Sequence, residues 1–169
     1  MKGSKLEMWI DGSTRNNGYQ ENYGGWGIYC TVNKDYAASW SGSIYDTTNQ
    51  RMELTAAIQA IDKYETIKKE YQIDKLIIYT DSAYLYNCWK EKWYKKWIEK
   101  DWTNSKQMPV ANKDLWKKLI PYFKDKTIKF VKVKGHSTNE GNIEADALAT
   151  EAADELMRRR TSKNENNYN

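Results

Sequence analysis

Cysteine is scarce: 2 of 169 residues, Cys30 and Cys88, far apart and with no partners at zinc-ligand spacing. That excludes a disulfide framework and a metal knuckle and leaves two reduced thiols in or near a core. No stretch approaches the ~18 continuous apolar residues of a membrane span. Met1 to Ile10 also lacks the long apolar run of a secretion signal, so a soluble cytoplasmic protein without membrane contact is expected. Phenylalanine is nearly missing, with 2 Phe beside 8 Trp and 13 Tyr. Trp and Tyr suit places where an apolar body meets a polar edge, which directs attention to rings facing a ligand or water. Neither sign of charge dominates: 27 Lys and Arg against 23 Asp and Glu leave +4, which permits a polyanionic partner without demanding one.

What is present describes a folded α/β chain. Hydrophobic residues make up 40%, enough for a core, and the length suits one domain, residues 1–157, with a monomer as the default. Leu6, Met8 and Ile10 alternate with Glu7, Trp9 and Asp11, the pattern of a strand over Lys5–Asp11 with two unlike faces. Tyr23–Val32 and Tyr36–Tyr45 are two further strand-like runs joined by Asn33, Lys34 and Asp35, so the first three strands form an antiparallel meander. Asp46, Thr47, Thr48 and Asn49 offer N-caps for a helix to about Lys69, whose Leu54, Ala57, Ile58, Ile61 and Tyr64 recur at three and four. Lys75–Thr80 reads as a central strand covered on both faces, parallel to a neighbour because a helix precedes it. Ser82 to about Glu99 is helical in one or two pieces, Lys113–Tyr122 forms a short helix, Thr127–Lys134 a last strand, and Asn142 to about Arg158 an Ala-rich helix. Residues 158–169 are too polar to pack and are expected to be a disordered tail.

Four acidic residues stand out by position. Asp11 ends the first strand, Asp81 follows the buried fourth one, and Glu53 and Asp146 sit in the first turns of their helices. Alone, each reads as a turn former or a partner for a helix dipole. Together they matter because ligands gather beyond the carboxyl ends of parallel strands, where Asp11 and Asp81 would meet. Two carboxylates 4 Å apart repel by about 4 kcal/mol at an effective dielectric of 20, so the cluster requires a cation or raised pKa values. Oxygen ligands without neighbouring Cys or His point to Mg²⁺ or Mn²⁺.

Ile10-Asp11-Gly12-Ser13 with Gly24-Gly25-Trp26-Gly27, Thr48 to Leu54, Tyr79-Thr80-Asp81-Ser82, Val133 to Ser137 and Asn142 to Asp146 follow one another in order. This series closely resembles ribonuclease H of type 1, over about Lys5 to Ala153. The resemblance implies a ribonuclease H-like fold: a mixed five-stranded sheet, three antiparallel strands then two parallel ones, with helices on both faces. It implies an endonuclease acting on the RNA strand of RNA/DNA hybrids. It further implies that Asp11, Glu53, Asp81 and Asp146 hold two Mg²⁺ ions, and that His136, on the loop after the last strand, shuttles a proton or helps release product. Four carboxylates at −1 each balance two ions at +2 each.

Telling the RNA strand from the DNA strand requires groups that sense 2′-hydroxyls on one strand and their absence on the other. Asn17, Asn49 and Gln50 carry amides that donate and accept, and the resemblance places Asn49 and Gln50 at the hybrid's minor groove. It also places Thr48 and Asn112 on a DNA-strand phosphate, whereas Asp46 stands where several relatives have Arg, which weakens that pocket. Between Cys88 and Gln107, Trp89, Trp93 and Trp97 recur every four residues, on one helix face, amid Lys90, Lys92, Lys95 and Lys96. The segment resembles the family's basic protrusion, and Trp89, Lys92, Trp93, Lys95 and Lys96 are its candidate substrate contacts. The adjacent Arg158, Arg159 and Arg160 are candidates for non-specific binding. A catalytically silent nucleic-acid-binding module and a related nuclease with another substrate are the alternatives.

Overall fold

The computed structural model describes residues 3–16, 21–135 and 138–166, the side chains of 164–166 excepted. Five strands, β1 (Ser4–Arg15), β2 (Tyr23–Val32), β3 (Asp35–Tyr45), β4 (Ile73–Thr80) and β5 (Ile128–Lys132), form one sheet in the order β3-β2-β1-β4-β5. β1–β2 and β2–β3 are antiparallel, β1–β4 and β4–β5 parallel. The expected mixed sheet is the observed one. The switch from antiparallel to parallel pairing falls at β1, the strand that carries Asp11.

Alternation along β1 puts Leu6, Met8 and Ile10 on the face that meets α1 (Asn49–Glu70), where they join Ile28, Leu54, Ile61, Leu76 and Ile78 in one buried cluster. Thr48 caps α1 by accepting from the Arg51 N–H at 3.1 Å. The cluster continues under α2 (Ala83–Glu91), α3 (Tyr94–Glu99), α4 (Lys113–Leu119) and the 3₁₀ turn Ile120–Lys124, through Leu85, Trp116, Phe123 and Phe130. Pro121 at the start of the 3₁₀ turn separates it from α4, so the helix expected to reach Tyr122 stops at Leu119.

The opposite face is covered by α5 (Glu140–Asn166) over β1, β2 and β3. Here the layers touch at backbone distance: a Cβ on Gly25 would lie 2.0 Å from the Ala149 carbonyl oxygen and 2.7 Å from the Ala153 nitrogen. Ala145, Ala149 and Ala153, all fully buried, form the matching small-residue stripe. Because α5 does not reach over β4, that strand is covered on one face only: Leu76, Ile78 and Thr80 are buried while Ile77 and Tyr79 are half-exposed. This corrects the expectation of a strand enclosed on both faces.

Two boundaries moved for the same reason, that pairing and anchoring outweigh local polarity. β1 runs on through the polar Ser13, Thr14 and Arg15 because β2 pairs with it as far as Arg15↔Tyr23. α5 likewise continues past Arg158 to Asn166, with Arg158 to Lys163 exposed. Among the described residues no helix is long and apolar enough to cross a membrane.

Gly25→Ala should lower the unfolding free energy by about 3 kcal/mol or more, because the clash is with backbone that cannot rotate away. Urea denaturation would show a lower midpoint at unchanged slope. An unaltered midpoint would mean that α5 is not seated directly on β2.

Candidate active site

Parallel pairing of β1 with β4 stops at Trp9↔Tyr79, while antiparallel pairing with β2 continues through Asp11↔Gly27. Asp11 is thus held by a ladder on one side and faces an opening crevice on the other, and Asp81 enters that crevice just past the end of β4. Glu53 reaches it from the first turns of α1. Carboxylate oxygens of Asp11, Glu53 and Asp81 all lie within 4.8 Å of one another.

Gly12 allows this approach. A Cβ there would sit 2.7 Å from Met52 Cβ and 2.8 Å from the Glu53 nitrogen, so a side chain would push α1 off β1. Its N–H donates to Asp11 Oδ1 at 2.9 Å and to Glu53 Oε1 at 3.2 Å, bringing the two carboxylates onto one donor. Asp146 follows Ala145 of the buried α5 stripe and is itself exposed, near enough to Asp11 to raise the pKa of its carboxyl. Of the four acidic residues singled out by position, Asp11, Glu53 and Asp81 share the cluster and Asp146 stands at its exposed margin.

The electrostatics are those of an unfinished site. Asp11 is 6% exposed and Glu53 9%. The Asp11 carboxyl is pushed up to about 7, chiefly by burial and also by the Asp81 charge and by Asp146, against the lowering effect of the Glu53 and Gly12 hydrogen bonds. Glu53 is held well above the ordinary carboxylate range, first by burial and then by the Asp11 charge. Its Oε2 is buried with no donor among the described residues. A buried carboxylate oxygen without a donor, beside two more carboxylates, fits a hard cation: oxygen ligands only, with charge that a +2 ion would neutralise.

Around this cluster the structure fixes several of the other sequence candidates. Thr14 Oγ1, three residues along β1 from Asp11, donates to Asn49 Oδ1 at 2.8 Å, and Gln50 is exposed in the first turn of α1. Asn112, with φ 60°, donates through Nδ2 to the Tyr84 hydroxyl at 3.2 Å, and that hydroxyl also accepts from Trp116 Nε1 at 2.9 Å. Arg51 was not among the expected site residues. Its backbone N–H caps onto Thr48, and its guanidinium reaches Asn112 Oδ1 at 3.4 Å and both carboxylate oxygens of Asp114 at 2.9 and 2.7 Å. The Arg lay within the Thr48–Leu54 motif, but its pairing with Asp114 spans 63 residues and has no local signal. His136 and Asn17 lie outside the described residues.

The tryptophans do not share a continuous helix face. α2 ends at Glu91 with Lys92 as its C-cap at φ 57°, and Trp93 is the N-cap of α3. Trp89, Trp93 and Trp97 are half-buried and pack against the core, Trp89 on Phe130 at 5.5 Å and Trp97 on Trp116 at 5.6 Å between ring centroids. What projects outward is Lys90, Lys92, Lys95, Lys96 and Lys100.

Residues 3–154 match the RNase H family model. The chain belongs to the RNase H family. It is 38% identical over 152 residues to the ribonuclease H of Clostridium botulinum, spanning 90% of this chain and 97% of that one. To the ribonuclease H of Prosthecochloris aestuarii it is 41% identical over 151 residues, 88% of this chain and 94% of the relative. The solved LC11-RNase H1 in complex with RNA/DNA hybrid superposes on 90% of this chain and 99% of its own, with a TM-score of 0.65 at 20% identity, a likeness of fold. This chain is therefore a ribonuclease H enzyme, with its buried acidic cluster at the switch point of the family's sheet.

The raised carboxyl pKa values make a prediction about the metal-free enzyme. A carboxyl that holds its proton more tightly folded than unfolded leaves the native state with more bound protons between pH ~4 and ~7, so its contribution to stability falls as pH rises through that window. In chelator, Asp11→Asn should raise Tm at pH 7.5 by a few degrees, at roughly 3 °C per kcal/mol for this size, and should flatten the decline of Tm from pH 5 to 7.5. Added Mg²⁺ should stabilise the parent more at pH 7.5 than at pH 5.5, because the ligands must be deprotonated to bind. Scanning calorimetry showing no effect of the substitution would remove the electrostatic burden assigned to Asp11.

Proposed function

We propose that this chain hydrolyses the RNA strand of RNA/DNA hybrids with two Mg²⁺ ions, or Mn²⁺ in their place, leaving 5′-phosphate and 3′-hydroxyl ends. The observation that carries the reading is the cluster of Asp11, Glu53 and Asp81 within 4.8 Å, where the buried Glu53 Oε2 has no donor among the described residues. Asp11, Glu53, Asp81 and Asp146 would hold the ions. When bound, the pair supplies acidity to the attacking water and positive charge beside the departing 3′-oxygen.

The chain's own residues do the positioning. Asp11 lies in the cluster with Glu53 and Asp81 and is the member whose carboxyl also senses Asp146, on a strand hydrogen-bonded on its β2 side, so it is the residue best placed to be shared between two ions. Gly12 keeps Glu53 at its side. A centre built from carboxylates repels a nucleic acid, so affinity must come from elsewhere. The Arg51 guanidinium, beside Asn112 and held by both Asp114 oxygens, offers its remaining N–H donors to a DNA-strand phosphate, with its charge balanced by Asp114. Asn49, anchored by Thr14, and the exposed Gln50 offer amides to the minor groove, and Asn17 and His136 keep the roles that the resemblance suggests. LC11-RNase H1 was solved with an RNA/DNA hybrid, which supports this substrate class for the present fold.

Incubation with labelled RNA/DNA, RNA/RNA and DNA/DNA duplexes, with Mg²⁺ and with chelator, separates the readings. Cleavage of the hybrid's RNA strand alone, lost in chelator, is expected. Asp11→Asn should reduce kcat by about 10³-fold or more in saturating Mg²⁺, since it removes ligand charge at the shared position. Near-parental turnover by that variant would refute the assignment, and metal-independent binding of all three duplexes without cleavage would favour the silent module.

The exposed lysines after α2 generate a second expectation. Replacing Lys92, Lys95 and Lys96 with Ala should raise KM mainly, leaving kcat within about twofold, and should flatten the dependence of log KM on log salt by about 0.9 per lost phosphate contact. A salt slope equal to the parent's would take the protrusion out of substrate binding.

A further inference from the structure

The last turns of α5 are a strongly charged surface that the acidic cleft, the Arg51 pocket and the lysines after α2 do not account for. Beyond its contact with β2 the helix carries Arg158, Arg159, Arg160 and Lys163, all exposed. Two contacts fix this extension to the sheet. Arg15 donates to the Asp154 carboxylate from Nε at 2.5 Å and from Nη2 at 3.3 Å. The Arg160 guanidinium lies 4.3 Å from the centre of the Tyr45 ring, which itself packs edge-on against Tyr23.

Both anchors adjoin the proposed substrate side in sequence. Arg15 follows Thr14, whose hydroxyl holds Asn49, and Tyr45 precedes Thr48 by three residues. The extension is thus held at the end of the sheet where α1 begins, across the sheet from the groove-facing amides, since Thr14 and Arg15 point to opposite faces. Arg158, Arg159, Ser162 and Lys163 line a shallow open depression together with Glu155, which pairs with Arg159 at 3.9 Å. Three cations against one carboxylate leave it positive. Complementing the helix dipole does not explain this, because that effect is confined to the last turn and Arg158 and Arg159 lie about two turns before Asn166.

We propose that Arg158, Arg159 and Lys163 form a second duplex-binding surface, gripping backbone phosphates away from the scissile position. This rests on the hybrid-cleaving reading above. Arg159 lies thirteen residues beyond Asp146 on the same helix, about 20 Å at 1.5 Å per residue, which corresponds to about six base-pair steps at 3.4 Å each. Short substrates would therefore not reach the surface, and longer ones would.

The test uses hybrids in which a short ribonucleotide block fixes the cut, flanked by 3 or 10 base pairs on one side or the other. For the parent, lengthening the flank on one side should lower KM about fivefold. In R158A/R159A/K163A that ratio should fall to about 1, and the salt slope on the long hybrid should flatten by about 2 to 3. The charge-conserving R158K/R159K should retain both parental behaviours. Equal flank ratios and salt slopes in parent and triple variant would overturn the proposal. So would loss of both in R158K/R159K, since the effect would then be one of packing. If no hybrid is cleaved, the hybrid reading itself fails, and anisotropy of the same duplexes in chelator still decides whether the surface binds them.

Discussion

Everything in this molecule is arranged around an arrangement that resists forming. Three carboxylates within 4.8 Å, two of them nearly excluded from water, would when ionised repel one another by about 4 kcal/mol per pair at 4 Å and an effective dielectric of 20. Flexible supports would let the groups part and take up water. The three are instead placed by elements that cannot yield cheaply: a strand paired along one side, a helix in backbone contact at Gly12, and a central strand whose Leu76 and Ile78 are fully buried. The large core beneath α1 holds together a site that is unfavourable until a cation enters it.

The same cluster dictates where positive charge must go. A polyanion approaching the cleft meets like charge, so cations belong at a distance from the centre and in positions that touch the backbone rather than the reacting phosphate. The structure shows that segregation: Arg51 beside Thr48 and Asn112, the lysines after α2, and the arginines at the end of α5 lie on separate elements outside the acidic cluster. The net charge of +4 conceals it, because the negative charges in the cleft offset the positive ones that surround it.

What could be read from the sequence was whatever depends on neighbours in the chain. Alternation in Leu6, Met8 and Ile10, a helix N-cap among Asp46 to Asn49 and the span of β2 are local, and each was legible from its own segment. The acidic residues were legible by position and by the motif around each of them. Long-range pairing was not. Ser13 to Arg15 are polar and turn-like, and only the β2 ladder makes them strand. Residues beyond Arg158 look like a solvated tail, yet the Arg15–Asp154 and Arg160–Tyr45 contacts tie the helix that carries them to the sheet. The fourfold spacing of Trp89, Trp93 and Trp97 suggested one continuous helix face beside the substrate, but a left-handed Lys92 breaks the helix and the rings pack against the core. Periodicity reports a face only while the helix continues.

The placement of Asp11 follows from the topology more than from its own chemistry. A mixed sheet must have a strand that is antiparallel to one neighbour and parallel to the other, and here that strand is β1. Its two partners need not end together: β4 leaves after Trp9, and β2 stays to Arg15. Between these two points the backbone of β1 is still rigid while its β4 side is open, so a side chain there is well positioned yet accessible. Asp11 lies in that short interval. α1 can approach there because the next residue is Gly12, α5 because Gly25 and Gly27 on β2 carry no side chain, and Asp81 because β4 has just ended. A carboxylate anywhere else on β1 would meet at most some of these partners, and it is this convergence that makes Asp11 the residue around which Glu53 and Asp81 gather.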